Sequence, residues 1–390
     1  MTKRFRILHL IEDLGSGGAE RLLYTNLSRL DRKQFDGLVV YLYDQNDFWN
    51  EPIRRLGYPV VCLQLRSIYD LPLGIIRLWR LLKHERVDLI HAHLYGANII
   101  GRIIGRLRGI PVLSSLHCPD YEPILLQDNP SLTPLKLASL RLLDWLSCRF
   151  APPVFLAVSN YVKASAVRYL GLAPERVSVI YNSVDLTAFE GPEDRRHAMR
   201  ATLGITHSTP VVLCIARFNP LKGVRYLIEA VPLVTEQRPD VCFLFIGATN
   251  PEAERSFREF LERRGVADRV RLLGIQPDVR PYLQLCDIFV LPSLAEGLGI
   301  ALVEAMAMER ACVATRTSAL PEVVADGRSG ILVEPANPSA LARSIIELLA
   351  DPAMRKRMGL EGRKIVSELF DAEKNVLALE SLYWQILHTG

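Results

Sequence analysis

The sequence lacks the features that would assign it to several large protein classes. No apolar run is long enough to span a bilayer, and the first one, after Lys3, Arg4 and Arg6, stops at Glu12 and Asp13, too soon for a secretory leader. The chain is therefore expected to be cytoplasmic or peripheral at the inner face of a membrane. Neither sign of charge dominates, and a formal net charge of +4 over 390 residues gives no general reason to bind nucleic acid. The seven cysteines (Cys62, Cys118, Cys148, Cys214, Cys242, Cys286 and Cys312) stand singly without metal or redox spacing, which predicts buried thiols in a reducing compartment. There is no Asp-x-Asp pair, so no metal and no cofactor are expected. The one glycine-rich turn near the start, Gly15-Ser16-Gly17-Gly18, does not fit the dinucleotide fingerprint. No acidic residue follows the next strand where a ribose contact requires one, which argues against a nicotinamide cofactor.

What the chain does contain is regular alternation. Short, continuous apolar runs near 5–11, 37–43, 59–64, 87–93, 111–117, 154–158 and 177–181 read as buried parallel strands. Helical patterns at 19–30, 72–84, 95–108, 134–149 and 160–169 separate them. The pattern lapses over Thr187 to Thr209, where Glu193-Asp194-Arg195-Arg196 carries mixed charge. A second series then follows, with strands near 210–215, 241–246, 269–272, 287–291, 311–314 and 330–333 and helices near 223–235, 251–264, 299–308, 339–350 and 353–368. The expectation is an α/β protein of two doubly wound Rossmann-like domains facing across a cleft: 1–190, then 191–370. A last helix at 371–390, with Val376, Leu379, Leu382, Tyr383 and Ile386 at helical spacing, either packs back on the first domain or is an ordinary terminal helix.

Two stretches carry chemistry. Glu296-Gly297-Leu298-Gly299-Ile300-Ala301-Leu302-Val303-Glu304 follows the strand Ile288-Phe289-Val290-Leu291. Its glycines let backbone amides approach a ligand, and the helix opening near Gly299 aims unpaired N–H groups and its positive dipole end at the same spot, which makes an anion site. An anion gains nothing from a glutamate at either end, so Glu296 and Glu304 are expected to accept hydrogen bonds from sugar hydroxyls flanking a diphosphate. The plainer alternative makes Glu296 a helix cap and Glu304 a surface residue. The second stretch, Arg217-Phe218-Asn219-Pro220-Leu221-Lys222-Gly223, places two cations at the carboxyl end of a strand, where open α/β sheets bind ligands and where a diphosphate leaving group would need them. At the first turn, Gly17 and Gly18 either present amides to a phosphate or make a simple tight turn.

Between Arg54 and Arg108 about ten basic residues stand against three acidic ones, with Ile75, Ile76, Trp79, Ile99, Ile100 and Ile103 among them. Such a face either meets an anionic membrane or is a solvated helix layer over the sheet.

Taken together, Gly17-Gly18-Ala19-Glu20, His91-Ala92-His93, Leu116-His117, Val158-Ser159, Tyr181-Asn182-Ser183-Val184-Asp185, Arg217 with Lys222-Gly223, the two glutamates Glu296 and Glu304 with seven residues between them, and Pro321-Glu322-Val323-Val324 resemble a GT-B fold retaining glycosyltransferase of family 4 (glycosyl transferases group 1) over nearly the whole chain. The resemblance implies a nucleotide-sugar donor held by the C-terminal domain. It further implies a carbohydrate or lipid-linked acceptor held by the N-terminal domain, and transfer with retained configuration. By position, Arg217 and Lys222 would neutralise the departing diphosphate, Leu298, Gly299, Ile300 and Glu304 would bind the nucleotide part, and Glu296 would hold sugar hydroxyls. His117 would approach the donor sugar, and Gly17 and Gly18 would bring amides to the phosphates. Ser318-Ala319 stands where the family has a Gly-Gly pair, and Gly247-Ala248-Thr249 replaces a common Gly-x-Gly. A nucleotide-sugar epimerase of the same architecture and a non-catalytic sugar-nucleotide-binding protein are the competing readings.

Overall fold

A computed structural model describes residues 4–45, 47–127, 131–190, 194–247 and 251–389. Lys3, Glu193, Ala248 and Thr249 therefore lie outside the described residues. Contacts divide the chain into two units. One runs to Pro123, resumes over Ser131–Ser183 and takes in the chain from Ala372. The other holds Val184–Asp371 with the short stretch beginning at Ile124.

The first unit is built on seven strands, β1 (Phe5–Ile11), β2 (Phe35–Tyr43), β3 (Val60–Leu65), β4 (Leu89–His93), β5 (Val112–Leu116), β6 (Val154–Ala157) and β7 (Val177–Val179). They form one parallel sheet in the order β3-β2-β1-β4-β5-β6-β7. The two faces of β1 separate cleanly, as the period of two requires. Leu8 and Leu10 join the core under the helices Leu71–Leu81 and Tyr95–Arg108, while Phe5, Ile7 and Ile11 join a second core with the helix Gly18–Leu27 and the last helix, Ala372–Thr389. In that last helix Val376, Leu379, Leu382, Tyr383 and Ile386 are all buried. Its register is fixed by Trp384 Nε1 donating to Gln34 (3.0 Å) and by Glu380 accepting from the Asp31 amide (2.7 Å).

The second unit has six parallel strands, β8 (Val211–Ile215), β9 (Cys242–Ile246), β10 (Val270–Leu272), β11 (Ile288–Leu291), β12 (Ala311–Thr315) and β13 (Gly330–Val333), in the order β10-β9-β8-β11-β12-β13. In both sheets the order reverses direction once, between β1 and β4 and between β8 and β11. There the following loops leave on opposite faces and open a crevice at the carboxyl ends of the strands.

The sequence reading of Thr187–Thr209 as a lapse in structure needs correction, because Asp194–Thr202 is a helix. It carries no apolar stripe. It is anchored instead by arginines: Arg196 and the buried Arg200 both bond Asp287, at 2.7 and 3.0 Å, and Arg200 also donates to Thr206 and Thr209 carbonyls. The cysteine reading is also corrected in part. No disulfide joins them among the described residues, but Cys118 is exposed and Cys62 half-buried. In the basic stretch between Arg54 and Arg108, the helix Tyr95–Arg108 packs on the sheet with Ile99, Ile100 and Ile104 buried and Arg102 fully enclosed, while the helix Leu71–Leu81 leaves Leu73 and Ile76 exposed. Among the described residues no helix is long and apolar enough to cross a membrane.

Candidate functional site

The residues singled out in the sequence fall into the crevices of both units. Arg217, Lys222, Glu296, Leu298, Gly299, Ile300 and Glu304 belong to the second unit; Gly17, Gly18 and His117 belong to the first.

In the second unit the loops after β8 and β11 are locked to one another. The Leu294 amide donates to the Leu221 carbonyl at 2.7 Å, and Asn219 Oδ1 accepts from the Lys222 amide at 3.1 Å. Gly223 follows with φ +59, and a Cβ there would lie 2.0 Å from the Pro292 oxygen, so only glycine lets the two loops meet. Thr317 and Thr315 hydroxyls then tie the β11 loop to β12 through the Leu294 and Ser293 carbonyls. The result of this bracing is a short ion pair: Lys222 Nζ stands 2.7 Å from Glu296 Oε1, which also accepts from Ser293 Oγ at 2.8 Å. Glu296 is thus no helix cap. Lys222, expected as an independent cation, is instead held by the carboxylate meant for the sugar.

The helix Ile300–Ala307 begins beside this pair. Its N-cap is Gly299, at φ +91, and no side chain caps it. A Cβ on Gly299 would clash with Leu320 at 2.7 Å. Leu298 is buried, so the ligand-facing groups of this turn are main-chain amides. Glu304 is 2 % exposed, which disposes of the surface-residue alternative. Arg217 is exposed and makes no ion pair among the described residues. Sequence reasoning missed Arg280, whose pKa is raised by its bond to Asp278 and by the fields of Asp185 and Glu304. An i, i+2 Asp–Arg pair carries no distinctive signal. Ser318 adopts φ +48 where the family pattern has glycine, so the hydroxyl-bearing residue keeps the left-handed backbone.

In the first unit Gly17 caps the helix Gly18–Leu27 with an ordinary φ of −77, and the space above it is taken by the Glu20 carboxylate. His117 sits just past β5, buried, with Nε2 3.1 Å from His93 Nδ1. It is one of four imidazoles on one face of the sheet. His9 and His91 are register partners on β1 and β4, and His91 bonds Tyr383 OH at 2.6 Å through Nδ1 and Ser115 Oγ at 2.7 Å through Nε2. The ligand atoms of His9, His91 and His93 lie within 4.8 Å of one another, so these three could gather a metal ion. To do so, His91 would have to release Tyr383 or Ser115. Two carboxyls not marked as site residues in the sequence, Glu12 and Asp120, follow His9 and His117 by three residues in the chain. Burial, with like charge from Asp144 and Glu12, pushes Asp120 up to about 8, and burial raises Glu12, whose Oε1 accepts from the Gly96 amide at 2.6 Å.

Burial drives all four histidines towards the neutral form. His9 falls from 6.5 to about 3 and His117 to about 4, and neighbouring imidazoles add to burial in lowering His91 and His93. An unfolded chain takes up protons below about 6.5 that the folded chain refuses until much lower pH. Stability is therefore fully present above that value and is lost as the pH falls towards 4, by up to about 1.4 kcal/mol per pH unit for each histidine. Asp120 and Glu12, both raised by burial, oppose this with one proton each. Urea midpoints should fall clearly between pH 7 and pH 5; an unchanged midpoint would show that the imidazoles are not held neutral.

Residues 16–188 match the family described as Glycosyltransferase Family 4, and residues 209–351 match Glycosyl transferases group 1. The chain is 26 % identical over 374 residues to the UDP-Gal:alpha-D-GlcNAc-diphosphoundecaprenol alpha-1,3-galactosyltransferase of Escherichia coli, covering 94 % of this chain and 93 % of that one. It is 30 % identical over 309 residues to the alpha-maltose-1-phosphate synthase of Mycolicibacterium smegmatis, covering 73 % and 76 %. Among solved structures, Anabaena HepE in complex with UDP and glucose superposes with a TM-score of 0.86 at 22 % identity, over 98 % of this chain and 100 % of that one. That likeness extends to the two-domain GT-B architecture.

Proposed function

Because this chain belongs to the family 4, group 1 glycosyltransferases, we propose that it is a retaining hexosyltransferase that moves a sugar from a UDP- or GDP-linked donor to a glycan, glycolipid or polyprenyl-linked acceptor, in the synthesis of a cell-surface polysaccharide or glycolipid. The observation that carries the proposal is the Lys222–Glu296 pair at the β8/β11 reversal, set beside an uncapped helix start. Departure of a nucleoside diphosphate builds negative charge on its oxygens. Arg217, Lys222 and the amides of Gly299 and Ile300 supply fixed positive ends for that charge. Glu304, buried one helical turn further on, would accept from the ribose hydroxyls. Glu296, holding Lys222 with one oxygen, would use its other to orient the sugar. His117, which burial keeps neutral and which bonds His93 at 3.1 Å, would donate or accept at the sugar without introducing charge. Gly17 and Gly18 would bring amides to the phosphates.

The bond broken is that between the anomeric carbon and the diphosphate oxygen, which keeps the electron pair. The bond formed joins the same carbon to an acceptor hydroxyl, whose proton passes to the departing phosphate. No carboxylate nucleophile and no metal ion are required. The Escherichia coli relative's name specifies UDP-Gal and a diphosphoundecaprenol acceptor, which supports a UDP-linked donor and a lipid-linked acceptor for this chain.

The test is transfer from UDP- and GDP-hexoses to a polyprenyl-diphosphate-linked sugar after EDTA treatment, with the anomeric configuration of the product read by NMR. Retained configuration and full EDTA resistance are expected. An inverted product or a strict divalent requirement contradicts the mechanism, and donor conversion without acceptor points to an epimerase.

A further inference from the structure

The helix Pro134–Phe150 turns a polar cluster inward and leucines outward. On its inward side, beside the buried Cys148, Asp144 forms an ion pair with the fully buried Arg102 and accepts from Tyr121 OH at 2.6 Å, and Ser147 Oγ accepts from Arg102 at 2.9 Å. Its outward side is apolar. Leu135, Leu142, Leu143, Leu146 and Phe150 are exposed by 81, 54, 42, 49 and 55 %, and all but Leu143 recur at intervals of seven, four and four residues along one stripe. A helix of a water-soluble domain turns such a stripe to the core. No described element covers this one.

The charges on the same helix are one-sided. Lys136, Arg141 and Arg149 border the stripe, and the helix's single acid, Asp144, is turned inward and paired. At its C-terminal end Arg149 lies over the Trp145 ring at 4.8 Å. Beyond it opens a groove of about 330 Å³, lined by Trp145, Phe155, Leu172 and two arginines, Arg149 and Arg176. The neighbouring helix Tyr95–Arg108 ends with Arg106 and Leu107 exposed as well. Exposed leucines and an aromatic ring, bordered by cations on a helix whose one acid is turned inward, complement the headgroup layer of an anionic bilayer: apolar side chains enter the acyl boundary while the cations meet phosphates.

We propose that the outward face of Pro134–Phe150 docks this protein on membranes rich in anionic phospholipid. The proposal extends the lipid-linked acceptor argued above, but its test requires no sugar transfer. The full chain is sedimented with phosphatidylcholine vesicles, with and without phosphatidylglycerol, in low salt and without nucleotide. Binding is expected only where phosphatidylglycerol is present. Leu142→Ser with Leu146→Ser should weaken it by at least about tenfold. Arg141→Glu with Arg149→Glu should weaken it by about thirtyfold or more. Both pairs lie on the solvent side, so their unfolding midpoints should match the parent and confirm the fold.

Three outcomes overturn the proposal: no binding to anionic vesicles, variants that bind like the parent, or a concentration-dependent dimer that the leucine pair abolishes, which would make the face a contact between two copies of this chain. Vesicle binding without transfer would count against the enzymatic reading alone. Transfer to a soluble acceptor without vesicle binding would count against docking alone.

Discussion

Lys222→Ala and Arg217→Ala should each lower turnover by roughly a hundredfold or more, since removing one preorganised donor from a developing oxyanion typically costs on the order of 3 kcal/mol. The two losses should differ in character. Arg217 is exposed and without an ion pair among the described residues, so its removal should leave the unfolding midpoint in place and act on the diphosphate alone. Lys222 is held at 2.7 Å by Glu296, so its removal frees a mostly buried carboxylate that keeps only Ser293 as a partner among the bonds described here. Lys222→Ala should therefore also disturb sugar positioning, and pairing it with Glu296→Gln should cost less than the sum of the two single losses. Single-turnover rates of donor cleavage measure both effects. Unchanged rates in both single variants would remove the assignment.

The second large effect is on stability. Asp144→Ala should destabilise the first unit by about 3–5 kcal/mol, because it leaves the Arg102 guanidinium buried and uncompensated. Arg102 also donates to Ser114 and Ser147, but neutral hydroxyls do not balance its charge. Replacing both partners, Arg102→Met with Asp144→Leu, should recover much of the loss. Urea unfolding of the three variants measures this. A loss below about 1 kcal/mol in Asp144→Ala would mean that Arg102 has water or another counter-charge.

How much of this was legible in the sequence follows from what hydrophobic patterning can and cannot carry. Strands such as Ile288–Leu291 and Cys242–Ile246 are buried on both faces, so their continuous apolar runs marked them to within a residue or two. The helix Asp194–Thr202 was invisible for the converse reason: it is fastened by Arg196 and Arg200 to Asp287, far along the chain, and buried arginine has no periodic signature. The helix Pro134–Phe150 shows a further limit. Its period announced a helix, but which side faces inward depends on Arg102, located on another element, so the outward leucines could not be told from core leucines in the sequence. The residues of the candidate site were read from spacing and from the family resemblance. The site's wiring was not, since the Lys222–Glu296 bond requires the Gly223 turn to meet Pro292 across two loops, and the His91 bond to Tyr383 joins residues 292 positions apart.

The central claim is that the crevice between β8 and β11 holds the nucleotide, and thermal shift addresses it most directly. The parent chain and Glu304→Ala are melted with UDP, GDP, ADP and their sugar conjugates, each in large excess. A ligand at a hundred times its dissociation constant adds roughly 2.7 kcal/mol of stability. The account predicts a clear rise in melting temperature with one base, UDP or GDP, that is lost in Glu304→Ala. A shift that survives in Glu304→Ala, or no shift with any nucleotide, would contradict it.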